Sequence, residues 1–207
     1  MQITLTNTGK RFNREWIFRR CTYQFETGKK YAITGPNGSG KSTLLQVIAG
    51  AILHNEGNIQ YAMSNIQCSG EEHYQHISIA APYLELIEEM TAKEMLEFHS
   101  KFKSLTQSLS IEDVLKIVGL ENAANKKLRY FSSGMKQRLK LAQAFFSNTT
   151  VLLLDEPTTN LDAEGIALYH SLINNHTKDK LVIVSSNVKQ EYDFCEEVIE
   201  IGMYKSA

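Results

Sequence analysis

Gly35-Pro36-Asn37-Gly38-Ser39-Gly40-Lys41-Ser42-Thr43 fills every fixed position of the pattern G-x-x-x-x-G-K-[ST]. Glycines at this spacing let the backbone turn through positive φ and approach a guest closely. The successive amide N–H groups then converge on phosphate oxygens at the positive end of a helix. Lys41 adds a point charge suited to the β- and γ-phosphates, and Ser42 a hydroxyl that can ligate Mg²⁺. The chemistry these residues could do is the binding of a nucleotide by its phosphate chain. A Gly-rich turn that merely joins a strand to a helix is the plainer alternative, and it becomes remote when all fixed positions are filled between a strand-like and a helix-like run.

A second set of residues fits the same chemistry. Val151-Leu152-Leu153-Leu154-Asp155-Glu156 is an apolar run ending in two carboxylates, the pattern of a central parallel strand whose C-terminal end faces a ligand. Asp155 is placed to hold Mg²⁺ through water, and Glu156 to polarise a water aimed at the γ-phosphate. Strand-end acids that face solvent are common by themselves, but in a chain with a phosphate loop they have a task. Ser132-Ser133-Gly134-Met135-Lys136-Gln137-Arg138 opens a helix with small polar residues and is a further potential anion site, although such a start taken alone is usually only a cap. Phe12, Trp16 and Phe18 are the aromatic candidates for stacking on a base, with the core as the ordinary place for each.

Positioning these groups takes a strand, a turn and a helix, with more strands beside them. Tyr31-Ala32-Ile33 leads into the loop, and Leu44, Leu45, Val47, Ile48 and Ala49 follow at helical spacing. Before Gly28, the alternation of Ile3 and Leu5 and the runs Trp16-Ile17-Phe18 and Tyr23-Gln24-Phe25 predict antiparallel strands, a β lobe ahead of the loop. Gly57 to Tyr61 and His76 to Ala80 predict short strands, the second stopped by Pro82, with a polar loop over Ser64 to Glu72 between them. Thr91-Ala92-Lys93-Glu94 reads as the capping box of a helix carrying Met95, Leu96, Phe98 and Phe102. Ser110 caps another with Val114, Leu115 and Val118, closed by Gly119, so a helical insert runs to about Asn125. The helix opened by Ser132 would bury Leu139, Leu141, Ala142, Phe145 and Phe146. Leu181 to Val184 repeats the buried-strand pattern, ending in Ser185-Ser186-Asn187, and Val198 to Ile201 closes the sheet.

Composition sets outer bounds. At 207 residues and 43% hydrophobic content the chain can bury a sizeable core. A formal charge of −1 argues against a general affinity for nucleic acid. Cys21, Cys68 and Cys195 are odd in number and far apart, as expected of buried or inert thiols in a reducing compartment. Met1-Gln2-Ile3-Thr4 has neither a basic nor an apolar leader region, and no apolar run approaches the roughly 20 residues that cross a bilayer. The expectation is a soluble, cytoplasmic chain with no direct membrane insertion.

The order of these motifs resembles the nucleotide-binding subunit of an ATP-binding cassette (ABC) transporter, over essentially the whole chain. The phosphate loop matches fully, as do Leu152-Leu153-Leu154-Asp155-Glu156-Pro157-Thr158 and the D-loop Asn160-Leu161-Asp162. Phe131-Ser132-Ser133-Gly134-Met135-Lys136-Gln137-Arg138 is similar to the family's signature, usually L-S-G-G-Q, keeping Ser132 and Gly134. Phe12, in Lys10-Arg11-Phe12-Asn13, stands where the family usually has an adenine-stacking Tyr. Two positions depart further. The Gln expected near Pro82-Tyr83 is replaced at Tyr83 or its neighbour, and Ser186 stands where a γ-phosphate-contacting His is expected. Mg²⁺ can complete its shell with water, whereas the loss of the His bears on hydrolysis rate rather than on ATP binding.

The resemblance implies an α/β fold: a P-loop NTPase (RecA-like) core with an N-terminal antiparallel β lobe and an inserted α-helical subdomain. One domain would span 1–207, with lobe and core over 1–83 and 145–207 and the helical subdomain, bearing the signature, over 84–144. It implies ATP and Mg²⁺ as cofactors, with catalysis by Glu156, Lys41 and Ser186 and metal ligation by Ser42 and Asp155. Nucleotide contacts would run from Gly35 through Thr43, joined by Phe12, Ser132 and Gly134. Such subunits pair head to tail, as a homodimer or with a second ATP-binding subunit, and act with a separate multi-span membrane protein at the inner face of the membrane. A nucleotide-gated clamp with little hydrolysis, or a soluble ABC protein unconnected with transport, are the competing functions. The second of these usually carries paired cassettes, coiled-coil insertions or basic arms, and none is visible in this sequence.

Overall fold

Alternation before Gly28 produces a long hairpin. β1 (Gln2–Phe12) and β2 (Glu15–Glu26) run antiparallel from the pair Gln2–Glu26 to the pair Phe12–Glu15, and the two-residue turn places Asn13 at φ 53°, the left-handed backbone such tight hairpins need. In this computed structural model, which describes residues 1–63, 66–67, 73–106 and 109–205, the hairpin is extended by β4 (Glu56–Met63) and the short β5 (Ile66–Gln67), giving the sheet order β2-β1-β4-β5. β5 thus occupies part of the stretch expected to be a loop, while Cys68 and the rest of Ser64 to Glu72 lie outside the described residues.

A second sheet holds the phosphate loop. β3 (Lys30–Thr34), β6 (Ile77–Ala80), β7 (Val151–Asp155), β8 (Leu181–Ser185) and β9 (Glu197–Glu200) are ordered β6-β7-β8-β3-β9. β3 pairs in parallel with β8 on one side and β9 on the other, and β7 with β8. Every residue of β7 and β8 is buried, the reading their unbroken apolar runs predict. Helix α1 (Lys41–Ile48) follows the loop and buries Leu44, Leu45, Val47 and Ile48. They join Ile3, Leu5, Phe18, Phe25, Tyr31, Leu153 and Ile183 in one hydrophobic cluster. Of the aromatic stacking candidates, Phe18 belongs to this core, Trp16 is half-buried, and Phe12 is 50% exposed, so the ordinary expectation of a core position does not hold for Phe12.

Packing divides the chain into two compact units, residues 1–79, 150–156 and 179–207 in the first and 80–149 and 157–178 in the second. The helical stretch expected over 84–144 lies inside the second unit. There α2 (Ala92–Ser100) is started by a complete Thr91–Glu94 capping box, and α3 (Ile111–Ile117) by a Ser110–Asp113 box. Gly119, at φ 68°, ends α3 in the left-handed turn that favours glycine. α4 (Ser133–Phe146) buries Leu139, Leu141, Ala142, Phe145 and Phe146, and α5 (Ala163–His176) packs on it, the Phe145 and Tyr169 rings meeting edge to face at 6.5 Å. Met95 and Leu96 of α2 are buried, whereas Phe98 and Phe102, expected on the same face, are exposed and pack on each other at 5.1 Å, Phe102 lying past the helix end.

Candidate functional site

The loop between β3 and α1 is shaped by two glycines, Gly35 and Gly40, that leave no room for a side chain. Gly35 (φ 143°) passes so close to Ser39 that a Cβ there would meet the Ser39 Oγ at 2.9 Å, and at Gly40 (φ 103°) a Cβ would meet Ile17 Cγ2 at 2.3 Å. The loop is therefore held tightly enough to keep its amides in a fixed set. Lys41, 5% exposed, sends its ammonium back across the loop, donating to the carbonyls of Gly35 at 2.8 Å and Pro36 at 3.3 Å. Ser39 is buried, and its Oγ has no hydrogen-bond partner.

Lys41, Ser42 and Thr43 share a cavity of about 210 Å³ with Asn37, Gly38, Gly40, Ile17 and Glu156. The structure thus brings together the loop and one of the two strand-end acids. The volume suits a phosphate chain rather than a whole nucleotide, since sites that enclose a drug-sized ligand run to about 300–1,000 Å³. Glu156 sits at φ 42° directly after β7 and donates its N–H to Ser185 O at 2.9 Å. Left-handed backbone at a residue with a Cβ is strained, and strain of this kind gathers at functional sites. Asp155 is 1% exposed, and its Oδ1 has no hydrogen-bond partner. A buried, unpaired carboxylate oxygen calls for a cation, and a hard oxygen of this kind suits Mg²⁺. Among the described residues there is no cluster of three or more His, Cys, Asp or Glu side chains that could hold a metal ion.

The residue that reaches the phosphate loop from the end of β8 is Asn187. Its Oδ1 accepts from Gly35 N at 3.3 Å, and its Nδ2 donates to Asn37 Oδ1 at 2.9 Å. Ser186 is 0% exposed, and its Oγ accepts from Val188 N at 2.9 Å, shaping the turn after the strand. Phe12 is not among the residues lining the phosphate cavity; the Lys10 ammonium lies over its ring at 4.9 Å. Ile17 lines the cavity although no motif marks it; its signal is the alternation along β2 that buries Phe18 on the other face.

In the second unit the start of α4 stands beside a cavity of about 500 Å³, bordered by Ser132, Ser133, Gly134, Arg138, Asn160 and Asp162 among others. Ser132 is the N-cap, its Oγ accepting from Met135 N at 3.2 Å. A Cβ at Gly134 would come within 3.0 Å of Asn160 O, so this glycine permits the close approach of two backbones. Arg138 pairs with Asp162, the N-cap of α5, at 3.2 Å and with Glu164 at 3.7 Å. Tyr83 is 44% exposed. Cys21 is buried and Cys195 partly so, and burial pushes both thiols up to about 12. No helix among the described residues is long and apolar enough to cross a membrane.

The sequence profile of the family described as ABC transporter matches residues 18–159. The ABC transporter ATP-binding protein YybJ of Bacillus subtilis is 33% identical over 97% of this chain and 92% of its own length. The bacitracin transport ATP-binding protein BcrA of Bacillus licheniformis is 30% identical over 92% of this chain, which spans 63% of BcrA. The ATP-binding cassette MJ0796, solved as a dimer in a post-hydrolysis state with ADP and Pi, superposes with a TM-score of 0.81 at 26% identity, over 96% of this chain and 93% of that one. On the match over residues 18–159 and the 33% identity over 97% of its length, the chain belongs to the ABC transporter family.

Proposed function

We propose that the chain binds and hydrolyses ATP to power a membrane transporter whose spanning part is a separate protein. The observation that carries the reading is the meeting of Lys41, Ser42 and Glu156 in one cavity behind a loop of fixed amides. The loop amides and the Lys41 ammonium would neutralise the β- and γ-phosphates. A water activated by Glu156 attacks the γ-phosphorus, the bond to the β–γ bridging oxygen breaks, ADP departs with that oxygen, and the proton passes to Glu156. Ser42 and Asp155 would hold Mg²⁺, whose charge would help to neutralise the phosphates. Asn187 stands at the loop with a carboxamide in place of the expected imidazole, a neutral donor that supports slow turnover with full binding.

The exposed start of α4, with Ser132 and Gly134, is the group of this chain that would close on a nucleotide held by a second subunit, a copy of this chain or a different ATP-binding subunit. Phe12 would serve the adenine. Cargo recognition falls to the multi-span partner, at the inner face of the cell membrane, and nucleic acid is not a ligand. Lys41→Ala tests the reading. The substitution removes a charge-assisted contact of about 1.5–3 kcal/mol, so ATP affinity falls at least about tenfold; unchanged affinity in a fluorescent-nucleotide titration rejects the site.

A further inference from the structure

β7 and β8 run in parallel with an unbroken register: Val151 stands beside Leu181, Leu153 beside Ile183 and Asp155 beside Ser185. Alternate residues of a strand share a face. The face of Val151, Leu153, Leu181 and Ile183 is the one that joins Leu44, Leu45, Val47 and Ile48 of α1 in the hydrophobic cluster, and a period of two carries it on to Asp155 and Ser185. β3 continues the row on the other side of β8, where Ile33, also in the cluster, is paired with Ser185. Because α1 follows β3 through the phosphate loop, it starts at the C-terminal end of these parallel strands, the end where Asp155 and Ser185 stand.

Ser185 is out of character with its strand. Leu181-Val182-Ile183-Val184 is apolar throughout, yet the polar residue that follows is 0% exposed. Its carbonyl accepts from Glu156 N at 2.9 Å, and the next amide, Ser186 N, donates to Ile33 O at 3.1 Å, so the strand end is fixed on both sides. The side chain is less well served: Ser185 Oγ has no hydrogen-bond partner, and neither has Asp155 Oδ1. A buried hydroxyl without a partner is unfavourable, and an alanine there would avoid it. Two such atoms in register on strands about 5 Å apart are close enough to serve one small guest. They are also chemically matched to it. An ionised carboxylate only accepts, whereas a hydroxyl has one proton to give and two lone pairs, so a water bound to a cation can direct one proton to each oxygen.

We propose that Ser185 is a positioning residue of the cation site: its hydroxyl and Asp155 Oδ1 together hold one water of the Mg²⁺ shell. The inference rests on the functional reading above. Ser185 touches neither the phosphates nor the metal; it fixes the water through which Asp155 acts. Partners that orient a metal's own ligands are worth about 10–100-fold in metal affinity.

The experiment compares wild type, Ser185→Ala, Ser185→Thr, Asp155→Ala and the double variant Ser185→Ala/Asp155→Ala. Mn²⁺ is titrated by electron paramagnetic resonance with adenylyl imidodiphosphate present, nucleotide affinity is measured with and without metal, and the metal-free protein is unfolded in urea. Ser185→Ala should weaken Mn²⁺ binding about tenfold while keeping metal-free nucleotide affinity within about twofold. Its metal-free stability should equal or exceed that of wild type, since an unpartnered hydroxyl has gone. Ser185→Thr, which keeps the hydroxyl on a side chain suited to a strand, should recover most of the Mn²⁺ affinity. In the Asp155→Ala background the loss of Ser185 should add little, because the two act as a pair. Unchanged Mn²⁺ affinity in Ser185→Ala overturns the inference and leaves the ATPase reading intact. So does a loss of metal-free stability, which would give the hydroxyl its task in the fold, and so do losses that simply add in the double variant. A wild type that binds no nucleotide, with or without metal, overturns both, and the nucleotide titration alone reveals that case.

Discussion

Ser186 and Asn187 are neighbours with different work, and the difference is measurable. Ser186→Ala removes, from a buried position, the acceptor of Val188 N, which should cost about 1 kcal/mol of stability in urea unfolding and leave kcat for ATP unchanged. Asn187→Ala frees Gly35 N and Asn37 without opening the core. Its kcat should fall roughly tenfold, short of the 10²–10³ of a full oxyanion donor, with ATP affinity nearly constant; an equal loss from Ser186→Ala would reverse the two roles. The sequence points to Ser186 within the trio Ser185-Ser186-Asn187, while the side chain hydrogen-bonded to the phosphate loop is that of Asn187. At the end of a strand one residue decides which side chain faces the loop and which faces the core, and composition does not carry that one-residue register. Lys41, Ser42 and Glu156 were legible because each is fixed by its place in a contiguous motif. Ile17 was not, since it borders the cavity only through the pairing of β2.

Helix starts are the elements that the sequence specifies best here, because a cap is a local contract between residues three apart. Thr91 Oγ1 accepts from Glu94 N at 3.2 Å, while Glu94 Oε2 accepts from Thr91 N at 2.8 Å. Thr91→Ala should destabilise the protein by about 1 kcal/mol at pH 7. The effect carries a pH signature. The Thr91 backbone N–H first, and then its hydroxyl, hold the Glu94 carboxyl below its usual value of 4.5. A carboxylate depressed in the folded state stabilises above its unfolded value and loses that contribution as pH falls through the depressed one. The gap between wild type and Thr91→Ala in urea unfolding should therefore be narrower at pH 3 than at pH 7; a gap independent of pH would show that Glu94 takes no part. The ends of elements were less legible. Phe98 and Phe102 fit a helical stripe in the sequence, yet α2 stops at Ser100, and the pair is left to pack on itself at the surface.

For the whole molecule, the reading of a nucleotide-driven pair predicts that Glu156→Gln, which keeps the loop and weakens water activation, accumulates as a dimer with Mg·ATP and stays monomeric with ADP. Sedimentation at micromolar concentration distinguishes the two, and a dimer equally populated with ADP would detach pairing from the γ-phosphate. That the chain is an α/β protein with a phosphate loop follows from its motifs, whereas its division into units depends on contacts far apart in sequence: α5 groups with α4, while the strand between them in sequence, β7, belongs to the sheet. The position of β3 in that sheet has a consequence for synthesis. β3 lies between β8 and β9, whose first residues, Leu181 and Glu197, come roughly 150 and 170 positions after Lys30. At about 5–20 residues per second, a ribosome leaves the phosphate loop without either flanking strand for about 8–30 s. A nascent chain stalled before Leu181 would display the entire motif and have no site to offer, so nucleotide binding can serve as a sign that translation has reached the last strands.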